Sequence, residues 1–89
     1  MIKDLRIQIL SDPEYDMLVA DVFYQAKYMF MLYCDNSDGK WIIKANFSSD
    51  KDVVSPFDGS IDLKTLMDII AEAGNFYEAR LQSDANPMM

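Results

Sequence analysis

Residues 17–47 read MLVADVFY-QA-KYMFMLYC-DNSDG-KWIIKANF. Three runs rich in β-branched and aromatic residues are separated by two short polar steps. That composition predicts strands over 17–24, 27–34 and 40–47. Asp35-Asn36-Ser37-Asp38-Gly39 is the stronger turn signal. Gln25-Ala26 stands where a tight hairpin turn belongs, although it lacks the Gly or Asn that such turns favour. Upstream, Leu5-Arg6-Ile7-Gln8-Ile9-Leu10 alternates apolar and polar residues and predicts a further strand. Ser11-Asp12-Pro13-Glu14 then carries the marks of a helix start: a capping side chain, Pro at the first helical position and an acid at the positive end of the dipole. A short helical turn is expected there.

Downstream, residues 48–60 (SSDKDVVSPFDGS) predict a loop, with Val53-Val54 touching a sheet edge and Pro56 and Gly59 keeping it irregular. Leu63, Leu66, Met67, Ile70, Ala73, Gly74, Tyr77 and Leu81 recur at helical spacing. Asp62 or Ser60 can cap this helix, and Ala85-Asn86-Pro87 ends it at the latest. Residues 84–89 are expected to fray. Gly74 costs about 1 kcal/mol against Ala inside a helix, which a close approach to the sheet would explain. Strands joined by short turns make a meander. The expected fold is therefore α+β: one domain over 1–89, a four-stranded antiparallel β-meander, a short helical turn after the first strand, and one C-terminal amphipathic helix packed on one face.

One helix cannot bury both faces of this sheet, and both are apolar. Strict alternation sets Leu18, Ala20 and Val22 against Val19, Asp21 and Phe23, and Tyr28, Phe30 and Leu32 against Met29, Met31 and Tyr33. It also sets Trp41, Ile43 and Phe47 against Ile42, Lys44 and Asn46. The face bearing Phe23, Met29, Met31 and Tyr33 must then meet a loop (48–60 being the nearest), a second copy or another protein.

The 89 residues carry a net charge of −7, and they include no histidine and one cysteine. Without histidine there is no Ser-His-Asp or Cys-His nucleophile and no imidazole base. One thiol makes neither an internal disulfide nor a cysteine metal site. Gly39, Gly59 and Gly74 are too scattered for a phosphate loop. Read as a calcium loop, the stretch from Asp35 places Gly39 and Lys40 where a ligand and a glycine belong. The expectation is a protein that is not an enzyme, with no catalytic residue, metal or cofactor. The charge is spread, −2 over 1–34, −2 over 35–60 and −3 over 61–89. It disfavours a nucleic-acid backbone or an anionic membrane as partner and favours a basic protein. Met1-Ile2-Lys3-Asp4 leads into no apolar signal region, so a cytoplasmic location is the expectation.

Ile9 to Tyr24 (ILSDPEYDMLVADVFY) and Asp62 to Ala73 (DLKTLMDIIAEA) resemble segments of small bacterial immunity proteins encoded beside polymorphic toxins, including those of contact-dependent growth inhibition systems. The resemblance spans roughly residues 5–34 and 60–82. It departs at Gln25-Ala26, where the family pattern has Asp-Gly or Asn-Gly. It implies an immunity protein that neutralises a cognate toxin domain, often a nuclease, by forming a stoichiometric complex. It transfers no residue roles. The partner-binding residues expected from this chain's own charge and faces are Asp35, Asp38, Asp50, Asp52 and Asp58 with Phe23, Met29, Met31 and Tyr33. The rival expectation is a self-associating structural or adaptor module; either monomer or homodimer suits the immunity reading.

Overall fold

A computed structural model describes residues 2–47, 57 and 59–85. Its elements are β1 (Leu5–Leu10), β2 (Val19–Tyr24), β3 (Lys27–Ser37), β4 (Lys40–Asn46) and α1 (Leu63–Ala85). The strands form an open antiparallel sheet in the order β1-β2-β3-β4, and α1 follows it. This is the expected α+β meander with a C-terminal helix. The expected loop residues 48–56 and 58 lie outside the described residues; of the residues expected to fray, 84–89, the first two belong to α1 and 86–89 lie outside the described residues.

Both hairpins close through two-residue turns of left-handed backbone. Asp38 (φ 54°) and Gly39 (φ 79°) suit this conformation, which fits the right-handed twist of paired strands. The five-residue turn expected over 35–39 is shorter than that, because Asp35, Asn36 and Ser37 pair with Ile42, Trp41 and Lys40. Gln25 (φ 53°) and Ala26 (φ 64°) do the same at the first hairpin, at a cost of roughly 1–2 kcal/mol per residue. The pairing of Tyr24 with Lys27 holds them there. After β1, the expected helical turn is replaced by a tight turn. The Tyr15 amide donates to the Asp12 carbonyl at 3.0 Å, and the Glu14 amide donates to the Asp12 carboxylate at 2.9 Å. The Asp12 side chain closes a local turn, which competes with helix at such positions.

A bulge in β3 overturns one face assignment. Val22 pairs with Phe30, but Phe23 pairs with Tyr28, so Met29 is an extra residue. Tyr28 thereby joins Val19 and Met31 on the face away from the helix, while Met29 packs against the helix-side core. Strict alternation had placed these two residues the other way round.

The helix-side core is Leu5, Ala20, Val22, Phe30, Leu32 and Cys34 against Ile69, Ala73, Tyr77 and Leu81. The Asp62 carboxylate caps α1, accepting from the Thr65 amide at 3.1 Å. Ala73, Tyr77 and Leu81 of the expected stripe are buried, but the stripe is rotated toward Ile69, which is also buried, whereas Leu63, Met67 and Ile70 are 69, 60 and 44% exposed. α1 has apolar residues on two adjoining stripes, and two polar contacts accompany the one that turns inward. The Tyr77 hydroxyl donates to the Leu18 carbonyl at 2.5 Å, and the Ile2 amide donates to Glu72 at 3.1 Å. Gly74 shows no close approach, since a Cβ there would meet nothing within 4 Å.

The helix packs on β1 and β2. A helix about 10 Å across covers roughly two strands spaced about 4.8 Å apart. Among the described residues, nothing covers the exposed Trp41 on the helix side of β4, while Ile43 packs against the helix-side core.

Candidate functional site

β4 is the outermost strand, and its side chains alternate across the sheet. Trp41 and Ile43 lie opposite Asn36 and Cys34 on the helix side, and Ile42 lies opposite Asp35 on the other. Trp41 is 52% exposed, Ile42 44% and Phe47 64%. Phe47 rests one edge of its ring on the buried Phe30, with centroids 5.2 Å apart. The last turns of α1 and the start of β4 enclose a groove of about 450 Å³. Met17, Cys34, Trp41 and Ile43 line it from the sheet side, and Glu78, Leu81 and Gln82 from the helix. It is apolar in its depth, with Glu78 as its carboxylate. Burial first, and then the neighbouring Asp35, push the Cys34 thiol pKa up. This favours the neutral thiol, which packs within the helix-side core.

Such a groove suits a long cationic side chain. An aliphatic stem can lie along Ile43 and Leu81, while its charged head meets Glu78 or the face of Trp41. A broader recess at the other end of the sheet, about 810 Å³, is lined by Asp4, Leu5, Arg6, Gln25 and Ala26.

The partner-binding residues expected from sequence do not form one surface. Asp35 lies in β3, and its carboxylate accepts from the Lys44 ammonium at 2.9 Å, which raises the Lys44 pKa. Asp38 occupies the exposed tip of the β3–β4 hairpin. Asp50, Asp52 and Asp58 lie outside the described residues. Met31 is 1% exposed and belongs to a second core with Val19 and Tyr28. Half-buried Leu10, Tyr15, Phe23 and Tyr33 ring that core. Tyr15 reaches over from the β1–β2 connection, its ring centroid 5.0 Å from that of Tyr33. Phe23 carries the Arg6 guanidinium 4.2 Å above its ring and meets Tyr28 edge-on. The second face is thus closed over its centre by aromatic rings and the β1–β2 connection, and Met29 is absent from it. From the segment 48–60, Phe57 donates its amide to the Tyr28 carbonyl, beyond the end of β4, and sets its ring near Tyr24.

The exposed apolar surface has moved to β4 and the outer stripe of α1. Sequence reasoning passed over Trp41, Ile42 and Phe47 as ordinary strand residues. The available signal was position: the last strand of a meander is an edge, and this one carries a large apolar residue on each face. Among the described residues, no three carboxylate, thiol or imidazole groups gather to hold a metal ion, and no helix is long and apolar enough to cross a membrane. No family model, curated protein or solved structure matches the chain.

Proposed function

We propose that this protein works by binding rather than catalysis, as an immunity protein that forms a stoichiometric complex with a basic toxin domain of the nuclease kind. The groove between α1 and β4 carries the protein-binding part of this reading. It joins an exposed tryptophan, an apolar floor and a carboxylate, a combination suited to the centre of an interface. The charge of −7 supports a basic partner, which long-range attraction would bring in rapidly. The resemblance of residues 9–24 and 62–73 to immunity proteins supplies the toxin, and a cytoplasmic site of action follows from it. The expected acidic contacts at Asp38, Asp50, Asp52 and Asp58 remain part of the proposal as charges that speed association.

The test is co-expression with the C-terminal domain of the protein that the neighbouring upstream gene encodes. Survival of co-expressing cells and co-purification of the two chains are expected. Glu78→Lys should weaken the complex by 1 kcal/mol or more, about fivefold, if the groove is the contact. A harmless neighbour, or two chains that never associate, would remove the toxin reading.

A further inference from the structure

We propose that the outer edge of β4 pairs with β4 of a second copy, in one register centred on Ile43. This is independent of the toxin reading: it engages the backbone edge of β4, whereas the groove is bounded by the side chains of Trp41 and Ile43 on the helix side. Among the described residues no strand pairs with that edge, so its backbone donors and acceptors offer a template for another strand. Apolar side chains stand exposed on both sides of it, Trp41 on the helix side and Ile42 on the other.

The order of residues along β4 says what fits. A two-fold axis through the sheet sets each residue opposite one on the same face, so the axis must pass through a residue and not between two. Centred on Ile42, the pairing sets Lys40 opposite Lys44. Centred on Lys44, it sets that lysine against itself. Both are like-charge contacts across strands, which are destabilising. Centres nearer either end pair less than half of the strand. Centred on Ile43, the whole of β4 pairs: Ile43 meets Ile43 of the second copy, Ile42 meets Lys44, and Lys40 meets Asn46. Trp41 then lies opposite Ala45, the smallest side chain on the strand, which is itself exposed. The bulkiest residue thus faces the one that leaves it room, twice by symmetry. Charge agrees as well. β4 carries two lysines and no carboxylate, so two chains of charge −7 would meet at a segment that is not acidic. The result is one continuous sheet with both helices on the same side.

The test uses the full chain in sedimentation equilibrium, with circular dichroism to confirm folding. The wild type should sediment at twice the monomer mass. Ala45→Lys, at an exposed site with no part in the core, should weaken the dimer by about tenfold, because the change enters twice. Glu78→Lys, which alters the groove alone, should leave it intact. In a Cys34→Ala background, Ile43→Cys should form an intermolecular disulfide under mild oxidation faster than Ile42→Cys or Lys44→Cys. A wild type that stays monomeric at micromolar concentration would overturn the proposal. Faster crosslinking at position 42 or 44 would overturn the register.

Discussion

β2 and β4 are both short, apolar strands, yet they end in opposite environments. Val19, Ala20 and Val22 of β2 have no exposure at all, while Trp41 and Ile42 of β4 are about half exposed. The cause is the sheet order. β2 has strands on both sides, the helix on one face and aromatic rings on the other. Among the described residues, β4 has β3 as its one strand neighbour, and the helix packs on β1 and β2. Hydrophobicity made both segments strands, and their rank in the sheet decided which became core and which became contact surface.

The largest expected effect separates the core from the edge. Phe30→Ala, beneath α1, should cost about 3–5 kcal/mol in urea unfolding, since it removes a fully buried ring. Trp41→Ala should change monomer stability by less than about 0.5 kcal/mol. Equal losses would mean that β4 is as much a part of the core as β3.

Next comes pH, which acts on one tyrosine from each core. Burial pushes Tyr77, on the helix side, up to about 12. Burial, followed by the charge of Asp21, does the same to Tyr28 on the other face. The folded protein therefore holds these phenol protons more tightly than the unfolded chain, where tyrosine titrates near 10. The stability involved is complete below pH 10 and is lost as the pH rises from 10 through about 12. Urea midpoints measured across that window should fall, and Tyr77→Phe should reduce the slope. A flat profile would mean that neither phenol is buried.

Tyr77→Phe at neutral pH should cost about 0.5–1.5 kcal/mol, because the Leu18 carbonyl loses its donor. It tests whether that bond selects the inward stripe of α1. If it does, the variant helix should also show altered protection of the Ile69 and Ile70 amides in hydrogen exchange. The smallest effect is a gain. Gly74→Ala should stabilise the protein by about 0.4–1 kcal/mol, because a Cβ there meets open space. A loss would show a close approach that the free helix face does not have.

Much of the fold was legible in the chain. The alternation in Leu5–Leu10, the Asp38-Gly39 turn and the Asp62 cap each announce their structure through chemistry that reaches only a few residues. The site was far less legible. Asp35 looked like a loop acid, but strand pairing carried it into β3 and onto Lys44. Met29 looked like a second-face residue until the bulge beside Phe23 moved it to the helix side. Ala73, Tyr77 and Leu81 were legible as inward residues, but nothing in the spacing says that Ile69 joins them in place of Leu63, Met67 and Ile70.

Sequence alone determined the four strands, the C-terminal helix, the overall negative charge and the absence of imidazole chemistry, because all of these depend on composition or on neighbours along the chain. Tertiary structure alone decided which stripe of α1 faces inward, which residue the bulge inserts, and that α1 settles on β1 and β2. Those outcomes depend on where one helix of fixed width settles on a wider sheet, and local periodicity carries no record of that.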